Sequence, residues 1–154
     1  MRFTRSISIA GAALAAFVLS AGIAAPSYAD AEPTVVEIPL CDFFDGGVAT
    51  VEAGEVAAAP AGWGEKSLGR LKQFLSSQQT TITVQYGSAP AIITDLTDQW
   101  SEPAPFEDVW FSGLPDVPLG TLAPGDTVLV RVDLSWTKPK PSGSVHPSCL
   151  ITAV

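Results

Sequence analysis

The chain has 154 residues, of which 47% are hydrophobic and 16% charged, with 16 acidic side chains against 8 basic ones. The resulting net charge of −8 argues against nucleic-acid binding, which depends on lysine and arginine side chains that neutralise phosphates. It also argues against an anionic membrane surface and favours a neutral or cationic partner.

The first 29 residues have the three parts of a secretory signal peptide. Two arginines and no acid precede an apolar stretch from Ile7 to Ala25, and small residues follow at Ser27 and Ala29. We expect cleavage after Ala29, followed by release of a secreted or cell-surface protein with no remaining membrane span. The alternative is an uncleaved anchor, because about 20 apolar residues span a bilayer.

Cleavage at that point leaves residues 30–154, a length that fits a single domain with its own core. The signal segment holds two of the eight basic residues and no acid. Residues 30–154 therefore carry six basic and sixteen acidic side chains, a net charge of −10.

The first part of this domain predicts two strands joined by a turn. Residues 34–40 are rich in β-branched side chains, and Pro39 within them indicates a sheet edge or a bulge because proline donates no ladder hydrogen bond. Residues 42–47 predict a turn, residues 48–51 the start of a second strand, and the Ala/Gly/Pro-rich residues 53–64 a loop.

One helix and a half-buried strand are predicted next. Residues 67–77 place leucines at i, i+3 and i+7, the spacing of one helical face. Residues 80–86 alternate instead, with Ile82, Val84 and Tyr86 on one face and polar side chains on the other, which predicts a strand.

The remaining segments before the longest strand are short. Residues 91–96 and 109–111 are predicted as strands, and the acidic, proline-rich residues 100–106 as a loop. Residues 123–126 have proline and glycine at the second and third positions, which is typical of a tight turn.

The strongest pattern is the period-two alternation of residues 126–136. Its five apolar side chains cannot share one helix face, so we expect a strand with one side in the core. An extended loop at 138–141 and a last strand at 149–154 follow. The fold class predicted is therefore all-β, an antiparallel β-sandwich of immunoglobulin-like or jelly-roll type, with at most one short helix near residues 67–77.

The segment Leu119–Trp136, with its Leu-Ala-Pro-Gly-Asp turn leading into a long alternating strand, resembles secreted bacterial β-sandwich surface modules. It is similar to immunoglobulin-like adhesion modules and, more loosely, to the TasA/camelysin class of exported proteins. The resemblance implies the sandwich architecture and a surface or matrix role, and it assigns no functional residue.

Cys41 and Cys149 are the only cysteines. In an exported protein such a pair predicts a disulfide. The bridge would close a loop of about 100 residues and contribute roughly 4–5 kcal/mol in chain-entropy models. We also expect it to bring the first and last strands side by side.

Catalytic and metal-binding patterns are weak. His146 is the single histidine and lies in a Ser/Gly/Pro-rich segment, so a Ser–His–Asp triad would depend entirely on the fold. Calcium needs only oxygen ligands, and the acidic stretches at 42–47 and 102–108 lack the spacing of a calcium loop. We expect no enzyme activity, no catalytic residue, no metal site and no cofactor, with calcium as the least remote exception.

The tryptophans give the most specific site hypothesis. Trp63 and Trp100 lie in loop-like sequence, and Asp98 and Glu102 flank Trp100. An exposed indole beside carboxylates can stack on a sugar ring and bind its hydroxyls, whereas the alternative is that each tryptophan caps the core.

Three functions follow from these features. The first is a non-enzymatic secreted or cell-surface module for interaction or matrix assembly, whose partner is an extracellular protein, a polysaccharide or a second copy of the chain. The second is a carbohydrate-binding module that uses Trp63, Trp100, Asp98 and Glu102. The third is a small secreted hydrolase or inhibitor.

Overall fold

The computed structural model describes residues 32–154, so the predicted signal peptide and its cleavage site lie outside the described residues. No helix in the described part of the chain is long and apolar enough to cross a membrane. The elements, in chain order, are β1 (Thr34–Glu37), α1 (Ile38–Phe44), β2 (Val48–Val51), β3 (Gly54–Ala59), β4 (Gly62–Glu65), α2 (Leu68–Leu75), β5 (Gln78–Tyr86), β6 (Ile92–Asp95), a 3₁₀ turn (Thr97–Gln99), β7 (Ala104–Phe106), β8 (Val109–Gly113), β9 (Val117–Leu122), β10 (Thr127–Trp136), β11 (Gly143–Val145) and β12 (Ser148–Ala153).

The strands form three sheets. The main sheet has the order β2-β12-β10-β5-β6, with β11 also paired to β10, and two smaller sheets have the orders β1-β3-β9 and β4-β8-β7. The predicted all-β, sandwich-like class is confirmed. The pairing is mixed, because β1 with β3 and β2 with β12 are parallel whereas the other pairs are antiparallel.

Strand β10 is the centre of the main sheet, as its alternating sequence predicts. It pairs with β5 along its whole length, from Val128 opposite Tyr86 to Trp136 opposite Gln78. The turn before it is also confirmed, since the Asp126 N–H donates to the Ala123 carbonyl at 3.0 Å. Gly125 has a φ of +92°, a value that favours glycine at this turn position.

Two buried clusters lie against the inner face of β10. The aliphatic cluster fills the space between the main sheet, α1 and the β1-β3-β9 sheet; its members are Val36, Ile38, Cys41, Val51, Val56, Ala58, Ile82, Val84, Leu96, Leu119, Leu122, Val128, Val130, Val132, Cys149, Ile151 and Ala153. The aromatic cluster lies under α2 and the β4-β8-β7 sheet; it comprises Leu71, Phe74 and Leu134, with Trp63, Leu75, Trp100, Trp110 and Trp136 packed around them.

The predicted disulfide between Cys41 and Cys149 is confirmed, with the two Cα atoms 5.8 Å apart. The expectation that it joins the first and last strands is wrong. Cys41 lies in α1, and β12 lies between β10 and β2, whereas β1 belongs to another sheet. The bridge therefore fastens a helix to the main sheet.

Helix α1 replaces the predicted end of the first strand and start of the turn, and it is a second helix beyond the one expected. Pro39 is not at a sheet edge or bulge but in the first turn of α1, where the missing N–H has no intrahelical partner to lose. Ile38 and Cys41, spaced i and i+3, are both buried beneath this helix.

The predicted loop at 53–64 is wrong in most of its length, because β3 and β4 occupy it. The small side chains of this segment give no visible strand pattern, and close packing between neighbouring strands explains why a small residue is needed. A Cβ on Gly62 would lie 2.3 Å from the ring of Phe111 on the neighbouring strand, so glycine permits the contact between β4 and β8. The sequence also does not predict strands β9 and β11, at 117–122 and 143–145, and the predicted loop at 100–106 is wrong at its end, where β7 occupies 104–106.

The predicted helix at 67–77 is confirmed as α2. Ser67 caps it, since its hydroxyl oxygen accepts from the Arg70 N–H at 3.2 Å. Leu71 and Phe74 on its inner face are fully buried, which places the aromatic cluster directly under this helix.

Candidate binding cleft

An apolar cleft of about 500 Å³ opens where the two clusters meet the middle of β10. Val132 of the aliphatic cluster and Leu134 of the aromatic cluster both line it. Across from them, Pro60 and Ala61 connect β3 of one small sheet to β4 of another. The two sheets are separate at this point and each covers only part of the inner face of β10, whose Val132 and Leu134 are 0% and 2% exposed at the floor of the cleft.

The rim of the cleft is apolar and exposed. Phe43 on α1 is 80% exposed and Val145 on β11 is 41% exposed, and both line the opening. Pro39 and Trp63 complete the apolar wall. An exposed apolar rim around a concave apolar surface is a feature of interaction sites rather than of ordinary protein surface.

Three residues with polar side chains, Asp42, Ser144 and His146, also line the cleft. Asp42 Oδ1 accepts from the backbone N–H of Ser148 at 3.3 Å, which ties α1 to the start of β12. A mostly apolar lining with a few polar groups is typical of ligand and partner sites.

His146 takes part in an exposed charge network beside the cleft. Its Nδ1 lies 2.6 Å from Asp133 Oδ1, and the Arg131 guanidinium donates to the same oxygen at 2.6 Å. Burial opposes ionisation of Asp133, but the hydrogen bonds from Arg131 and His146 outweigh it and hold the pKa of the Asp133 carboxyl below its usual value. Within residues 32–154 no serine hydroxyl is hydrogen-bonded to His146.

The structure brings three of the four proposed sugar-binding residues together. Trp100, Asp98 and Glu102 line a polar cavity of about 220 Å³ below α2. Trp63 is not among them, because it lines the apolar cleft instead. The predicted single tryptophan surface is thus divided between two separate cavities.

Both of these tryptophans also belong to the aromatic cluster. Trp63 stacks on Phe74 with ring centroids 4.5 Å apart, and Trp100 meets the same ring edge-on at 5.4 Å. The Trp100 Nε1–H donates to Thr80 Oγ1 at 3.2 Å. Part of each indole therefore packs in the core, in agreement with the capping alternative, while its remaining surface contributes to a cavity.

The acidic stretches considered for calcium are placed apart from one another. Residues 42–47 form the end of α1 and a turn with Gly46 and Gly47 in left-handed conformations, and residues 102–108 comprise β7 and the turn that leads to β8. Across the described residues, no group of three histidine, cysteine or acidic side chains has a spacing that could hold a metal ion.

Sequence reasoning missed the cleft because it missed the helix that forms its rim. The residues at 42–47 predict a turn at Phe43, yet proline at 39 with apolar residues at 38 and 41 is a usable signal for a short helix. The gap between the two clusters depends on strands β3 and β4, whose small residues gave no pattern to detect.

Comparisons of the chain with protein-family models, with curated proteins and with solved structures find no match. The resemblance of Leu119–Trp136 to secreted bacterial surface modules therefore stays an expectation. Function has to be inferred from the cleft, the polar cavity and the distribution of charge.

Proposed function

We propose that residues 30–154 form an exported, non-enzymatic interaction domain that holds an extracellular partner at the apolar cleft. The observation that carries the proposal is the exposed phenyl ring of Phe43 at the mouth of a concave apolar surface. Leaving such a ring in water is unfavourable unless a partner covers it, since burial of apolar area is the main favourable term in association.

The dimensions and chemistry of the cleft support this role. A volume of about 500 Å³ lies within the range of roughly 300–1,000 Å³ found for binding sites. Its walls are mainly apolar, and its residues provide no close nucleophile–base pair, which favours binding over catalysis.

Export is supported by two independent features. The first 29 residues have the pattern of a signal peptide, and the Cys41–Cys149 disulfide fits an oxidising compartment. The strongly acidic composition of residues 30–154 favours a neutral or cationic partner on a surface or in a matrix.

The test is the sedimentation of the oxidised native protein recovered from the medium and surface fractions of the producing cell. We expect the wild type to travel in complexes larger than the monomer. Phe43→Ala should release the monomer, whereas Ile93→Ala should not, because Ile93 on β6 is also strongly exposed, at 70%, but lies outside the cleft. A wild-type protein that sediments as a monomer in every fraction would contradict the proposal.

The second candidate function is carbohydrate binding at the polar cavity. The observation that favours it is that an indole, Trp100, and the carboxylates of Asp98 and Glu102 line the same small cavity. Retention on cellulose, chitin and peptidoglycan would test it, and Asp98→Asn with Glu102→Gln should abolish retention. The matched control is Glu107→Gln, an exposed change outside the cavity; equal retention by all three proteins would exclude this site.

A further inference from the structure

Along β12, the backbone N–H and C=O groups of successive residues point alternately towards β10 and away from it. Val132 N–H donates to the Pro147 carbonyl at 2.9 Å, so Pro147 and every second residue after it turn their backbone groups towards β10. In an antiparallel ladder the alternate residues turn away. Two of these are satisfied: Leu150 N–H donates to the Gly47 carbonyl at 2.8 Å, and Ser148 N–H donates to Asp42 Oδ1 at 3.3 Å.

The same alternation reaches β11. The register of β11 on β10 continues that of β12, since Leu134 lies opposite Val145 and Val130 lies opposite Cys149. The next outward-facing residues after Ser148 are therefore His146 and Ser144. Both are exposed, and in the described chain β11 pairs with β10 alone. The main sheet thus has an open edge at these two residues.

This open edge lies directly over the cleft. Ser144, Val145 and His146 all line it, and the side chain of Val145 points to the inner face because it lies opposite buried Leu134. A strand added beside β11 would place one side chain opposite Val145 and on the same face. That side chain would enter the cleft.

We propose that an extended segment of the partner adds to the main sheet beside β11 and inserts one bulky apolar side chain into the cleft. The proposal rests on the proposed function and names its binding mode. Backbone groups of Ser144 supply hydrogen bonds, and the cleft supplies selectivity for the apolar residue, as in other cases of strand addition.

Charge identifies the kind of segment. Asp42 of α1 lies in the cleft wall, within hydrogen-bond distance of the Ser148 N–H, so a lysine or arginine next to the apolar residue is favoured there. The net charge of −10 on residues 30–154 disfavours a second copy of this chain as the occupant. The two end strands of the main sheet, β2 and β6, line neither the cleft nor the polar cavity, although Ile92 and Ile93 on β6 are exposed.

The probe is a short blocked peptide in which threonine alternates with valine, with one central phenylalanine followed by lysine. Binding to the oxidised protein is measured by calorimetry, and amide exchange is measured by NMR. We expect Phe43→Ala to weaken binding at least about tenfold, as for a central aromatic anchor, and Ile93→Ala, at an exposed residue outside the cleft, to leave it unchanged. The amide proton of Ser144 should exchange more slowly in the complex.

Three further controls separate the parts of the mechanism. Methylation of the peptide backbone nitrogens that face β11 should abolish binding. Replacement of the peptide phenylalanine by alanine should do the same. Asp42→Asn, which keeps an oxygen for the Ser148 N–H, should weaken binding about threefold, whereas Asp45→Asn should not.

Several results would overturn strand addition. These are absence of binding, equal binding by the Phe43 and Ile93 variants, or an unchanged exchange rate at Ser144. If the protein forms a dimer in which the Ser144 amide exchanges slowly without peptide, the segment beside β11 belongs to a second copy of the chain and not to another partner. If the native complexes still depend on Phe43 while the peptide fails, the cleft remains the interaction site and only this binding mode is excluded.

Discussion

The two halves of strand β10 have the same alternating pattern but different partners. Val128, Val130 and Val132 face the aliphatic cluster, which the disulfide at Cys149 fastens to α1. Leu134 and Trp136 face the aromatic cluster, which has no covalent tie. The alternation determines which face of β10 is buried. The strands β3 and β4, with their small residues, determine which sheet packs on that face. The cleft opens where one of these two sheets ends and the other begins.

Phe74→Ala is expected to give the largest loss of stability, and the loss should come from the aromatic half of the comparison. Phe74 is fully buried and touches the rings of Trp63, Trp100 and Trp136, so its removal leaves a cavity worth about 3–5 kcal/mol. Denaturant unfolding should show this loss, together with a large change in tryptophan fluorescence. Phe43→Ala, at an exposed ring, should change stability by less than about 0.5 kcal/mol; similar losses for the two variants would mean that the aromatic cluster is not packed as described.

Removal of the disulfide tests the other half. Changing both Cys41 and Cys149 to serine should lower the free energy of unfolding by roughly 2–5 kcal/mol, because the unfolded chain regains freedom over a long loop. Tryptophan fluorescence of the folded state should stay close to that of the wild type, since the aromatic cluster lies elsewhere. A fluorescence change as large as that of Phe74→Ala would contradict the separation of the two clusters.

Thr80→Val probes the polar support of the aromatic cluster. The buried Thr80 hydroxyl donates to Gln78 Oε1 at 2.6 Å and accepts from the Trp100 Nε1–H at 3.2 Å. Valine keeps the shape but leaves both partners unpaired, at an expected cost of about 1–3 kcal/mol. Thermal unfolding measures the cost, and Thr83→Val on the same strand is the control. Equal losses of stability for the two variants would contradict a stabilising role of the Thr80 hydrogen bonds.

The smallest effect is expected from the outer face of β10. The pKa of Asp133 is held below its usual value of 3.8, so the stabilisation is fully present above that value and is lost as the pH falls through the lowered pKa. Asp133→Asn should cost less than about 1 kcal/mol at neutral pH, since the Arg131 and His146 partners are half exposed. The difference from wild type, followed by urea unfolding, should shrink below about pH 4; a difference that grows there would contradict this sign.

The fold class and the disulfide pair could be predicted because they depend on strong local signals. The alternation of residues 126–136 has only one structural meaning, and two cysteines allow only one intramolecular bridge. Helix α1 and strands β3 and β4 could not be predicted, because their local sequence signals are weak. Short runs of alanine and glycine gain their structure from neighbours, as Gly62 does from the Phe111 ring.

The site was predicted only in part, for the same physical reason. Trp100, Asp98 and Glu102 are close in sequence, so their common cavity could be predicted from local spacing. The cleft instead joins residues from α1, β4, β10 and β11, which are distant in the chain. The open edge at Ser144 depends on register, and register is set by pairing that the sequence alone does not reveal.

The most direct test of an interaction through the cleft is a photo-crosslinking scan on the oxidised protein in a culture of the cells that produce it. A photoreactive amino acid replaces Phe43 or Val145 at the cleft, Glu102 at the polar cavity, or Leu129 on the outer face of β10. We predict one discrete adduct, identified by mass spectrometry, from positions 43 and 145 and from neither of the others. An adduct from position 102 or 129 alone, or none from the cleft, would contradict the account.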